Sequence, residues 1–257
     1  MTISAMSLNL FLLVFMRISG AVIFNPLLGR NNVPVTLRGA LSLIIAFVVF
    51  STVNSPSTVA GGVVQLIVQC VFELFIGFII GTVVNIFFAV VLIAGEIIDT
   101  QMGLSMARYY DPNSGVSMPI LGSYFNALMV LVFFASNAHL SLLTLTADSF
   151  KLIPPGTVGF APKAAQYMVM LGKDMMEFGL RMAIPVLAVE MVCIVAIGLL
   201  MRAVPQINIF SVGIQIQAIV GIIIVAISVP VIVPMCSRLS TLIVEKSVVL
   251  VRMLVNS

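Results

Sequence analysis

A chain of 257 residues that is 61% hydrophobic and only 8% charged cannot clothe itself as a soluble globule, because a water-facing surface draws on roughly a quarter charged residues. Its mean hydropathy of +1.24 places it in lipid. The formal net charge of +3 comes from 12 basic and 9 acidic residues scattered along the length, with no basic run to bind nucleic acid.

Several stretches reach the roughly 20 apolar residues that cross a hydrocarbon core of about 30 Å as helix. Segment one, Ser7 to Leu28, carries its positive charge, Arg17, mid-way and none ahead of it, so it reads as a retained helix and not a cleaved signal. Asn25-Pro26, Gly29, Arg30, Asn31, Asn32 and Pro34 close it with a polar turn. Segment two, Leu37 to Val53, stops at Asn54-Ser55-Pro56. Segment three, from Gly61-Gly62 to Ala94, exceeds one perpendicular crossing and must tilt, bend or protrude. Residues 96–119 then form an amphipathic stretch, Glu96 to Asp111, leading into the most polar interruption of the chain, Asp111-Pro112-Asn113-Ser114-Gly115.

Segment four, Ile120 to Phe150, is interrupted by Asn137, His139 and Ser141, and Pro154-Pro155-Gly156 makes the clearest loop. Segment five, Ala164 to Leu200, holds Pro185 in its apolar part, where a lost hydrogen bond predicts a kink near Ile184. Segment six, Val212 to Val233, is expected to end at Pro230 and Pro234, with residues 237–257 as an amphipathic tail. The expected fold is one all-α membrane domain over residues 1–257. Counted as six simple crossings, the segments defy the positive-inside rule. Arg30 and Arg38 then lie on one side, and Lys151, Lys163, Arg238, Lys246 and Arg252 on the other. Either the count is too high or some segments are hairpins that never cross.

Polar groups inside apolar segments are site candidates by default. Gln69, Glu73, Gly77, Gly81 and Asn85 recur every four residues and form one slowly turning ridge of segment three. Such a ridge suits a close helix-packing seam; the sharper alternative is a proton or ion relay through Glu73. Glu96 and Asp99 extend the intramembrane polar set. Arg17 can pair with a carboxylate, and Glu73 and Glu190 are both open to it. Lys173, Glu177 and Arg181, at i, i+4 and i+8, are expected to satisfy one another on a helix end. His139, the single histidine, reads as a structural group at a helix break.

Nothing in the chain suggests catalysis. There is no GxxxxGK[ST], HExxH or GxSxG pattern and no dinucleotide glycine motif. Cys70, Cys193 and Cys236 stand apart with neither CxxC spacing nor nearby histidines, as buried thiols do. No catalytic, cofactor-binding or metal-ligating residue is therefore expected. A secondary transporter should show two related halves with matching broken helices, and no such internal symmetry is present.

In their order, these interruptions resemble those of the R-type subunits of type III export gates, flagellar and injectisome, over nearly the whole chain. The resemblance is carried by Asn25-Pro26, Gly29, Val33-Pro34 and Arg38; by Glu73 with Gly77; and by Gly95-Glu96, Asp99, Gln101-Met102-Gly103 and Asp111-Pro112. It continues through Asn137 and His139, Pro154, Pro185, and the run Pro205-Gln206-Ile207-Asn208-Ile209-Phe210. Two departures stand out: Ala138 where the family usually has glycine, and Gly213-Ile214-Gln215 in place of Gly-Phe-Pro. The family-motif loop Pro205, Gln206, Asn208 and Phe210 looks more flagellar than injectisome-like.

The resemblance implies a core subunit of the flagellar protein export gate in the bacterial inner membrane. Its expected partners are the P-type and Q-type gate subunits (FliP, FliQ), the B-type and A-type export subunits (FlhB, FlhA), and unfolded proteins in transit. An injectisome subunit is the alternative. The resemblance also implies that apolar hairpins pack against sister subunits, and that Arg108, Tyr109, Tyr110, Asp111, Pro112, Asn113, Ser114 and Gly115 lie in a plug loop at the pore constriction.

Overall fold

The computed structural model describes residues 5–27, 34–53, 62–105, 119–157, 159, 162–203 and 212–255. Seven helices occupy them: α1 (Ala5–Ile23), α2 (Val35–Phe50), α3 (Val63–Gln101), α4 (Ile120–Ala135), α5 (Ala138–Leu152), α6 (Pro162–Ala203) and α7 (Ile214–Val255). No strand occurs among the described residues. Helix is what lipid demands, since it satisfies the backbone N–H and C=O groups within one segment. Two prolines stand at the starts of helices, where no intrahelical N–H bond is lost: Pro34 and Pro119 are the N-cap residues of α2 and α4.

Segment four is two helices. Asn137 takes the left-handed conformation at φ 55° and is the N-cap residue of α5. Asn is one of the few side chains that tolerate this backbone. Segments three, five and six run longer than their sequence boundaries. α3 absorbs Glu96 to Gln101, α6 passes through Pro185, and α7 passes through Pro230 and Pro234 to take in the expected tail. Proline forfeits a single hydrogen bond, and membrane helices tolerate the loss because neighbouring groups re-satisfy the carbonyl.

Six crossings are not matched by helix length and composition among the described residues. Among the described residues three helices, α3, α6 and α7, are long and apolar enough to span, or four if the α4–α5 pair is one span; α1 and α2 are too short. α6 and α7, at 42 residues each, are about 63 Å long, twice the hydrocarbon thickness.

The fold divides into two compact units. The first comprises Met1–Phe87, Asn137–Gly172 and Ser240–Ser257; the second comprises Phe88–Ser136 and Lys173–Leu239. In the first, Val14, Ile18 and Val22 of α1 pack with Ala46 and Val49 of α2 and Phe150 of α5, while Ile76 and Ile80 of α3 meet Ile153 and Val251. In the second, Phe88 of α3 meets Phe133 of α4 edge-on at 5.7 Å. There α6 approaches the α3 backbone where Gly179 lies beside Val90.

Candidate functional site

In the first unit Arg17 is wholly buried. Its Nε donates to Glu73 Oε2 at 2.5 Å, its Nη1 to Ser149 Oγ at 3.1 Å, and its Nη2 to the Ile153 carbonyl at 3.0 Å. The guanidinium also lies 4.1 Å above the Phe150 ring, a favourable placement for a desolvated cation. Of the two carboxylates open to Arg17, the structure selects Glu73, itself fully buried.

The other Glu73 oxygen, Oε1, accepts the Gly156 N–H at 2.9 Å, and the Gln69 amide donates to the Gly156 carbonyl at 3.1 Å. Gly156 belongs to the turn Pro154-Pro155-Gly156-Thr157, closed by Thr157 N–H to Pro154 carbonyl at 3.2 Å. Its φ of 86° is what the third position of a type II turn requires, and glycine supplies it without a steric penalty. One buried ion pair thus fastens α1, α3, α5 and the turn after α5.

The small residues of the ridge bring α1 against α3. A Cβ on Gly77 would sit 2.0 Å from the Arg17 carbonyl oxygen, and one on Gly20 would sit 2.5 Å from that of Leu74. Gly81 faces Phe24, whose ring meets Phe78 at 4.6 Å. Asn85, the last member of the ridge, is exposed. A four-residue step advances about 40° beyond a full turn, so the row winds off the buried side.

In the second unit, Asp99 is buried near the end of α3, and both its oxygens accept the Leu121 N–H, at 3.2 and 3.3 Å. A carboxylate at this place satisfies an orphan donor at the start of α4 and complements the helix dipole. One turn earlier, a Cβ on Gly95 would sit 2.3 Å from Gly122 backbone atoms. Glu96, between them in sequence, is exposed. After Asp99 the chain turns through Gly103, at φ 74°, and Met102 packs its buried side chain where a Cβ on Gly221 of α7 would stand.

Arg108 to Gly115, and Pro205, Gln206, Asn208 and Phe210, lie outside the described residues. Arg181 pairs with Glu177 at 2.6 Å on an exposed face. The three cysteines form no disulfide; Cys70 and Cys236 are buried and Cys193 is half-buried. No cluster of three or more metal-ligating side chains exists among the described residues. Sequence reasoning missed Ser149, the Ile153 carbonyl and Gly156. Only the last left a signal, since Pro-Pro-Gly-Thr spells a type II turn.

The network and the junction are devices for holding helices together, and relatives share the chain that carries them. A family model, bacterial export proteins, family 1, matches residues 8–243. The flagellar biosynthetic protein FliR of Escherichia coli K12 is 32% identical over 90% of this chain and 88% of its own length. That of Bacillus subtilis 168 is 30% identical over 91% and 92%, and that of Aquifex aeolicus VF5 is 26% identical over 86% and 85%. The chain belongs to the bacterial export proteins of family 1 and is a membrane component of the flagellar type III export system.

Proposed function

We propose that this chain is a core subunit of the export gate itself, helping to line the channel through which unfolded flagellar proteins cross the bacterial inner membrane. The observation that carries this is the nakedness of its longest helices. Only 11% of the most apolar window of α6 and 22% of that of α7 is buried, against 61% for α3. Two helices of about 63 Å outreach the bilayer, so lipid alone does not cover them; the P-type and Q-type subunits are the natural cover, with the B-type and A-type subunits peripheral. Arg17–Glu73 and Asp99 act as internal fastenings in this reading and take no part in proton relay.

The segment Arg108 to Gly115 serves as the plug. The chain is held on both sides of it, at Met102 and at Leu121. The test of assembly is purification of the tagged chain in mild detergent with native mass spectrometry. Co-recovery with P-type and Q-type subunits supports the reading; a lone monomer or homodimer from well-expressed membranes refutes it and favours a transporter. Deleting residues 109–116 should raise ion leakage through assembled gates, and an unaltered leak refutes the plug.

A further inference from the structure

Glu190 of α6 is fully buried, yet neither of its carboxyl oxygens has a hydrogen-bond partner among the described residues. An apolar segment keeps such a group only if a partner is supplied. Arg17, the one buried basic side chain among the described residues, is already held by Glu73.

Position along α6 shows where the partner must come from. Met182, Ala183, Val186 and Glu190 continue the buried stripe of the helix, and Glu190 ends it. From Met191 to Ala203 no residue is buried. Ile194, one turn beyond Glu190 on the same side of the helix, is 36% exposed. Glu190 therefore stands at the rim of an uncovered apolar face.

Lipid tails cover apolar surface but donate no hydrogen bond, and phosphate headgroups repel a carboxylate. We propose that this face of α6 docks an apolar helix of a sister export subunit bearing one Lys or Arg side chain, which completes Glu190 as a buried ion pair between subunits. This rests on the gate-subunit reading above. Charge-assisted pairing at such depth fixes register between helices that apolar contact alone leaves free to slide.

The wild-type chain tests the gate reading by its co-recovery with sister subunits, and Glu190→Gln tests the ion pair. Gln keeps the shape and the hydrogen-bonding capacity but removes the charge. The expected result is unchanged abundance of the chain in the membrane with at least a tenfold loss of co-purified complex, restored by Glu190→Asp in part. Wild-type yield of complex with Glu190→Gln overturns the proposal. A photo-crosslinking residue at Ile194, exposed on the Glu190 side of the helix, gives a second reading that does not depend on the variant's folding: an adduct with a sister subunit is expected, and adducts with lipid or a second copy alone overturn it. Equal and non-additive loss in Arg108→Gln would place the cation within this chain and overturn it as well.

Discussion

Replacing Arg17 and Glu73 by methionine, singly and together, measures what the buried pair contributes. Each single change leaves the other charge at 0% exposure without its counterion, and removing one member of such a pair costs about 3–5 kcal/mol. Arg17→Met also abandons Ser149 Oγ and the Ile153 carbonyl, and Glu73→Met abandons the Gly156 N–H. Those separate losses cancel in a double-mutant cycle, so the coupling isolates the Nε to Oε2 contact. The expected coupling is about 2–3 kcal/mol, so the double variant loses less than the two single losses summed. Steric trapping in micelles reads all four stabilities. Additive single effects, or single losses below about 1 kcal/mol, would refute the pair as the fastening of α1 to α3, since an unpaired buried charge cannot be that cheap.

Gly77→Ala should destabilise by about 1–3 kcal/mol, because the new methyl meets the Arg17 backbone and not a yielding side chain. Gly172→Ala, with nothing within 4 Å of the new Cβ, should be neutral or gain up to about 1 kcal/mol from helix propensity; thermal unfolding in micelles compares the two. Asp99→Ala should lower stability by about 1–2 kcal/mol and speed hydrogen exchange at the Leu121 amide, with Asp99→Asn intermediate. Asn137→Val should cost roughly 1–2 kcal/mol, as a β-branched residue resists φ 55°; Asn137→Gly should be tolerated in the same unfolding assay.

Helix was legible throughout because lipid leaves the backbone no cheaper arrangement, and the break at Asn137 was legible because a polar residue interrupts an apolar run there. Helix ends were less so. Pro230 and Pro234 read as stops under rules drawn from water, where a freed carbonyl is itself solvated and a helix readily ends; inside α7 they are carried through. The ridge on α3 was visible as a period of four, but its winding at Asn85 needed the neighbours' positions. Arg17 was open to pairing with an acid, and the choice between Glu73 and Glu190 lay in three dimensions: Gly20 and Gly77 let the α1 and α3 backbones approach, which puts Glu73 within reach.

That approach gives the pair a meaning beyond stability. An arginine at mid-helix makes α1 a poor solitary resident of a bilayer, at roughly 2.5–3.5 kcal/mol of insertion penalty, and Glu73 loads α3 in the same way. Each helix becomes acceptable once the other neutralises it, and the closure also requires Ser149, the Ile153 carbonyl and the turn at Gly156. α1 and α2 are too short to span, yet Leu13, Val14 and Ile18 of α1 are as fully buried as any core of a soluble protein. The first unit is therefore held by its own interior, whereas the apolar windows of α6 and α7 stay open along most of their length. A subunit built this way keeps a fixed internal frame and leaves its longest helices to be finished by whatever it assembles with.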